Sequence, residues 1–139
     1  MAARCTFCDI IAGSVPAHIV LDDEVAVAFL DHRPVFKGHV LLAPREHVET
    51  LGDLTDALID PLFSRARALA RAVERGLEAH GSFVAINNRV SQSVPHLHVH
   101  VVPRRRKDGL RGFFWPRTTY ADDGEIAEYA QRVREALGT

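Results

Sequence analysis

His96-Leu97-His98-Val99-His100-Val101-Val102-Pro103 alternates three imidazoles with three aliphatic side chains. A period of two is the mark of a β-strand with two unlike faces. Leu97, Val99 and Val101 point one way, into a core. His96, His98 and His100 point the other way, roughly 6–7 Å apart along the strand. Val102-Pro103 closes the strand, because proline cannot continue a ladder except at an edge or end. A solvated strand face or an affinity tag would be the plain explanations, but a tag is terminal and lacks the aliphatic alternation. Imidazoles carry a lone pair and an N–H and titrate near neutrality. Two chemistries therefore fit this face, a metal site and a nucleophile site, and different histidines can serve each.

The rest of the chain sets bounds. Its 139 residues predict one domain with a real core. Apolar residues at 47% and charged residues at 25% are ordinary for a soluble globular protein. A net charge of −1 gives no reason to expect nucleic-acid binding. No apolar run approaches a membrane span and no signal peptide is evident, so a cytoplasmic protein with no membrane partner is expected. Cys5 and Cys8 are the only cysteines. Three apart in a cytosolic chain, they suggest metal or redox use rather than a structural disulfide.

In chain order, residues 5–13 read as a short helical turn ending at Gly13. Strands follow at His18–Leu21, Val25–Leu30 and His39–Ala43, the last ended by Pro44. Asp53 reads as the N-cap of a long helix, with Asp56 in its first turn. Leu58, Leu62, Ala66, Leu69, Val73 and Leu77 form one apolar helix face. Pro61 predicts a kink, or a helix whose main part begins after Asp60. A fourth strand runs Ser82–Asn87, then a loop, then the histidine strand. Asp122-Asp123-Gly124 opens a last helix with Ile126, Tyr129, Ala130, Val133 and Leu137 on one face, closed by Gly138. The order predicts an α+β fold with a mostly antiparallel five-stranded sheet, one long helix and a C-terminal helix.

Several stretches together resemble the histidine triad (HIT) superfamily. They are residues 96–103, Phe7–Ile11 with Pro16-Ala17, Phe29-Leu30-Asp31, Gly38–Pro44, Glu46-His47, Asn87-Asn88 and Gln92-Ser93-Val94. The resemblance covers about residues 4 to 104, leaving 105–139 as a C-terminal extension of a single HIT domain. The loop from Asn87 to Gln92 departs from the commoner pattern. It is two residues shorter and carries Arg89 and Ser91 where glycines are typical, so Asn88 competes with Asn87 as the active amide.

The resemblance implies attack on the α-phosphorus of a nucleotide by the middle histidine, giving a nucleotidyl-histidine that water resolves. By position His98 is the nucleophile, and His39 and His100 flank it and polarise phosphate oxygens. Gln92 and Ser93 hydrogen-bond the phosphate and leaving group, and Asn87 is a phosphate-side amide. Asp31 accepts the ribose hydroxyls, while Phe7, Ile10 and Phe29 wall the base. A neutral imidazole is a competent nucleophile at pH 7, provided one ring nitrogen is held as N–H. No catalytic metal is required. The resemblance also implies a structural zinc on Cys5, Cys8, His47 and His96, a complete tetrahedral set.

The implied function is a nucleotide hydrolase or transferase acting on nucleoside-5′-phosphoryl-X, with an adenine or guanine nucleotide as substrate and a homodimer as its assembly. Pro103-Arg104 and the basic run through Lys107 lean toward a dinucleoside polyphosphate hydrolase, which is the expected activity, with a purine nucleoside phosphoramidase as the alternative. Ser93 leans toward a purine nucleoside phosphoramidase. A nucleotide-binding module acting through a protein partner is a reading of another class, and a zinc hydrolase using the triad as ligands a third. His18, His32 and His80 are assigned nothing. The aromatic stretch Gly112–Arg117 needs a burial partner, either its own core or a neighbouring subunit's site.

Overall fold

In the computed structural model, residues 4–110 and 117–137 are described. The chain divides between Asp108 and Gly109 into two compact units. The first unit holds a short helix α1 (Thr6–Ile11), strands β1 (Ile19–Asp22), β2 (Ala26–Leu30) and β3 (Val40–Pro44), a 3-10 turn (Leu51–Asp53), the long helix α2 (Asp56–Gly76), and strands β4 (Gly81–Ala85) and β5 (Val99–Arg104). The strands form one sheet in the order β1-β2-β3-β5-β4, with every pairing antiparallel.

Alternation along the central strands sends side chains to two covered faces. Ala26, Ala28, Val40, Leu42, Leu97, Val99 and Val101 meet Leu62, Ala66, Leu69 and Val73 of α2. On the other face Val27, Phe29, Leu41 and Ala43 meet Phe7 of α1. The sheet centre is thus buried on both sides, and β2 and β3 read as nearly unbroken apolar runs for that reason. Gly38 has φ +98 immediately before β3, and a Cβ there would strike the Leu77 side chain. Only glycine fits that turn, and the turn delivers His39 to the sheet.

Several local expectations are corrected. Asp53 is not the cap of α2. Its carboxylate accepts from Thr50 N–H (3.2 Å) and Thr50 Oγ (2.7 Å), closing the 3-10 turn, and Thr55 precedes α2 instead. Pro61 lies inside α2, whose helix runs from Asp56. In the second turn it withholds only the N–H due to the carbonyl of exposed Ala57, which water can serve.

The histidine stretch joins the ladder only from Val99, because Leu97 N–H donates to Val48 O and Pro44 has no N–H to offer. Pro103 does not end β5 but pairs with Ser82. Beyond Val101 the strand has β4 alone as neighbour, a position that tolerates proline. β4 likewise stops at Ala85, so Ile86 and Asn87 lie outside it.

The second unit holds α3 (Asp123–Ala136), capped by Asp122, whose carboxylate accepts from Glu125 N–H at 2.8 Å. Its apolar face, Ile126, Tyr129, Val133 and Leu137, is exposed. Residues 112–116 of the aromatic stretch and Gly138 lie outside the described residues. No described helix is long and apolar enough to cross a membrane.

Candidate active site and metal centre

Hydrogen bonds to backbone groups, and for His100 to the His39 ring, fix the proton on each central histidine. His98 Nδ1–H donates to His96 O at 2.7 Å, so its Nε2 carries the lone pair. Val35 N–H donates to His39 Nδ1 at 3.2 Å, which puts the His39 proton on Nε2. That Nε2–H donates to His100 Nδ1 at 3.0 Å, so His100 carries its own proton on Nε2. His96 Nε2–H donates to Pro44 O at 2.9 Å, leaving Nδ1 as a lone pair. Four imidazoles thus hold four defined tautomers.

His98 and His100 line a cavity of about 810 Å³, within the usual range for small-molecule sites. Phe7, Ile10, Phe29 and Val94 form apolar wall, and Asp31 and Ser93 are polar groups on its surface. Phe7 also sets its edge against the His98 ring, with centroids 4.8 Å apart. Of the residues singled out in the sequence, Phe7, Ile10, Phe29, Asp31, Ser93, His98 and His100 therefore share one cavity. His39 stands behind it, buried and bonded to His100, with Asp31 Oδ2 3.7 Å from its Nδ1. Asn87 and Gln92 do not line the cavity. Both amide ends of Gln92 are engaged, Oε1 by Arg89 N–H (2.8 Å) and Nε2 by Glu49 O (2.7 Å). Asn88 accepts from Leu51 N–H at 2.8 Å.

His18 and His32 line the cavity mouth, a placement the sequence left unassigned. Two sequence signals bear on them: His32 follows Asp31, and His18 opens the expected first strand.

Burial shifts the site toward neutral imidazoles. His98 and His39 lie below the ordinary histidine value, first through desolvation, with Asp31 pulling the other way. His100 is lowered to about 4 by burial, reinforced by His98 and His39. An unfolded histidine takes its proton near pH 6.5, at about the model-peptide value. Native His100 does so only near 4. Between those values the unfolded chain binds more protons, so stability falls as pH drops from about 6.5 to about 4. The expected result is a lower Tm at pH 5 than at pH 7.5, with a shallower pH dependence in His100→Gln. Parallel dependences in the two proteins would contradict the assignment.

The second constellation is Cys5, Cys8, His47 and His96. Their ligand atoms all lie within 4.8 Å of one another. Cys5 Sγ–His96 Nδ1 is 3.5 Å, Cys8 Sγ–His47 Nδ1 3.2 Å, Cys8 Sγ–His96 Nδ1 3.6 Å and His47 Nδ1–His96 Nδ1 3.1 Å. A zinc tetrahedron with ordinary Zn–S and Zn–N bonds has edges of roughly 3.3–3.8 Å. The two His96–cysteine separations lie in that range and the two at His47 Nδ1 just below it, so the donor set is the right chemistry in nearly the right place for that ion. The α1 turn brings Cys5 and Cys8 together, with Cys8 N–H donating to Cys5 Sγ at 3.4 Å. The Pro44 carbonyl orients His96 as an outer-shell acceptor does for a metal-ligating histidine. Four protein ligands make a closed site.

The HIT domain family model matches residues 12–107. The chain belongs to the HIT domain family. "Protein hit" from Bacillus subtilis is 40% identical over 124 residues, covering 88% of this chain and 84% of that protein. The crystal structure of a HIT family member from Bacillus subtilis superposes with a TM-score of 0.87 at 34% identity, covering 99% of each chain. A zinc-bound histidine triad family protein from Mycobacterium smegmatis gives a TM-score of 0.73 at 32% identity, over 96% of this chain and 97% of that one.

Two HIT relatives are named for their activity. A bis(5′-nucleosyl)-tetraphosphatase (asymmetrical) of Schizosaccharomyces pombe is 33% identical over 68% of this chain and 53% of its own. An adenosine 5′-monophosphoramidase of Saccharomyces cerevisiae is 32% identical over 78% and 68%.

Proposed function

We propose that this HIT protein is a nucleotide hydrolase that cleaves nucleoside-5′-phosphoryl-X at the α-phosphorus through a nucleotide bonded to His98. The observation that carries the reading is the His98 tautomer. The His96 carbonyl holds Nδ1–H, which leaves the Nε2 lone pair as the nucleophile on a ring that lines the cavity. In the first step Nε2 bonds phosphorus as the P–X bond breaks, and X leaves with the bonding pair and takes up a proton. In the second, water attacks phosphorus, the N–P bond breaks, and a proton is released.

In this reading His100 Nε2–H donates to a phosphate oxygen, and His39 holds His100 in the donating tautomer. Asp31 takes the ribose hydroxyls, Phe7, Ile10 and Phe29 hold a purine, and Ser93 Oγ meets the phosphate or leaving group. Zinc on Cys5, Cys8, His47 and His96 would fasten α1 to the sheet and leave the chemistry to the imidazoles. The reading keeps the cytoplasmic location. It treats residues 105–139 as a C-terminal extension of the catalytic domain. It also keeps the homodimer, supported by the edge position of β4 and by Ile59 and Phe63 standing exposed on α2.

Two side chains bear on the leaving group. Arg104, part of the basic run that leaned toward polyphosphate, is engaged by Asp108 at 2.6 and 3.1 Å. Ser93 lines the cavity. A hydroxyl there suits an amine, which must be protonated to leave, more than a polyphosphate, which departs as an anion. A purine nucleoside phosphoramidate is therefore the favoured substrate class. The dinucleoside polyphosphate is the second reading, supported by the tetraphosphatase relative.

The test is AMP release from adenosine phosphoramidate and from diadenosine tetraphosphate, side by side. A kcat/KM at least about tenfold higher on the phosphoramidate is expected, some 1.4 kcal/mol of preferential transition-state binding. The reverse ranking would establish the second reading. Tight nucleotide binding without turnover of either would establish a binding module.

A further inference from the structure

The strap from His47 to Leu51 lies against residues 88–97 and is bonded to it three times. Leu97 N–H donates to Val48 O at 2.7 Å. Gln92 Nε2 donates to Glu49 O at 2.7 Å. Leu51 N–H donates to Asn88 Oδ1 at 2.8 Å. Asp53 then anchors the far end of the strap through both donors of Thr50. One end of the strap is therefore His47, in the metal cluster, and the loop it holds runs into Ser93, on the cavity wall.

Gln92 is the hinge pin of this arrangement. Its other amide atom accepts Arg89 N–H at 2.8 Å and so closes the loop on itself. That loop holds Arg89 at φ 69 and Ser91 at φ 59, both left-handed without being glycine. Such conformations cost energy and persist only where the surroundings enforce them. The Gln92 bonds are among those that hold the loop in this form. These two bonds use one N–H of Nε2 and one lone pair of Oε1.

We propose that Gln92 is a positioning residue that couples the metal cluster to the nucleotide site, by pinning the Ser93 loop to the strap that carries His47. A metal on His47 fixes the strap, Gln92 transmits that fixity across the Glu49 bond, and Ser93 is held where a nucleotide meets it. Linkage makes the effect reciprocal: whatever factor zinc adds to nucleotide affinity, nucleotide adds to zinc affinity. The inference rests on the proposed nucleotide site and goes beyond it.

The experiment measures zinc affinity by competition with a chromophoric chelator, with and without saturating AMP, in the wild type, Gln92→Ala and Gln92→Glu. AMP affinity of each zinc-loaded protein is measured by calorimetry. In the wild type AMP is expected to tighten zinc binding about tenfold, within the usual range of coupling. In Gln92→Ala the factor falls to within twofold of one, while zinc affinity without AMP stays within about threefold of wild type. Gln92→Glu can still accept from Arg89 N–H but cannot donate to Glu49 O, so it loses the coupling as well. A wild-type factor of one, or an undiminished factor in either variant, overturns the proposal. Failure of wild type to bind AMP overturns the nucleotide site itself, a result distinct from binding without coupling.

Discussion

Replacing His98 by alanine is expected to lower kcat/KM for AMP release by at least about 10³-fold while changing AMP affinity only a few-fold. The expectation follows from where the lone pairs are. His96 directs its free nitrogen to the cysteines, and His39 gives its proton to His100. His100 presents N–H, so of these rings only His98 has an acceptor nitrogen left for phosphorus. Removing it deletes the nucleophile but leaves Phe7, Phe29, Asp31 and Ser93 on the cavity wall. Rescue of His98→Gly by added imidazole is the companion measurement, since a small imidazole can occupy the vacated space and attack in place of the side chain. Turnover within tenfold of wild type in His98→Ala would remove the covalent route. A parallel loss of AMP binding would show that His98 holds substrate rather than attacks it.

The second large effect is on stability. Stripping metal with a chelator, or substituting Cys8→Ser, is expected to lower Tm by about 10 °C or more. A ligand present at about 1,000 times its Kd adds roughly 4 kcal/mol to a fold that binds it only when folded. In a chain of this size 1 kcal/mol moves Tm by about 2–4 °C. The cluster joins α1 to the turn after β3 and to the start of the histidine stretch, segments far apart in sequence. Losing the ion releases the N-terminus, and with it the Phe7 edge that packs on His98. The measurement is thermal unfolding with metal content determined on the same samples. An unchanged Tm in protein shown to be metal-free would assign the four side chains no structural ion.

The two expectations separate within one short stretch. His96 and His98 are two residues apart and differ in which ring nitrogen the backbone occupies. His47→Ala is outside the His98 tautomer bond, so it acts through the metal and not through the nucleophile.

Much of this was legible in the chain itself. Period-two alternation placed Leu97, Val99 and Val101 in the core, because a strand buries every second side chain whatever it packs against. The 4-3-4 spacing placed Leu62, Ala66, Leu69 and Val73 on one buried helix face for the matching reason. Residue chemistry also limited what Cys5, Cys8 and the histidines could do.

The sequence could not set which partner each polar group takes, because those partners come from distant segments. Leu97 N–H goes to Val48, which shortens β5, and Asp53 turns back to Thr50, which moves the helix cap. Gln92 takes Glu49 O and Arg89 N–H as partners, the first from a strap far back in the chain. His39, His96, His98 and His100 are four identical side chains in the sequence. Only the tertiary structure, by offering a backbone carbonyl or amide to one nitrogen of His39, His96 and His98 and the His39 ring to His100, gives each of them a defined tautomer.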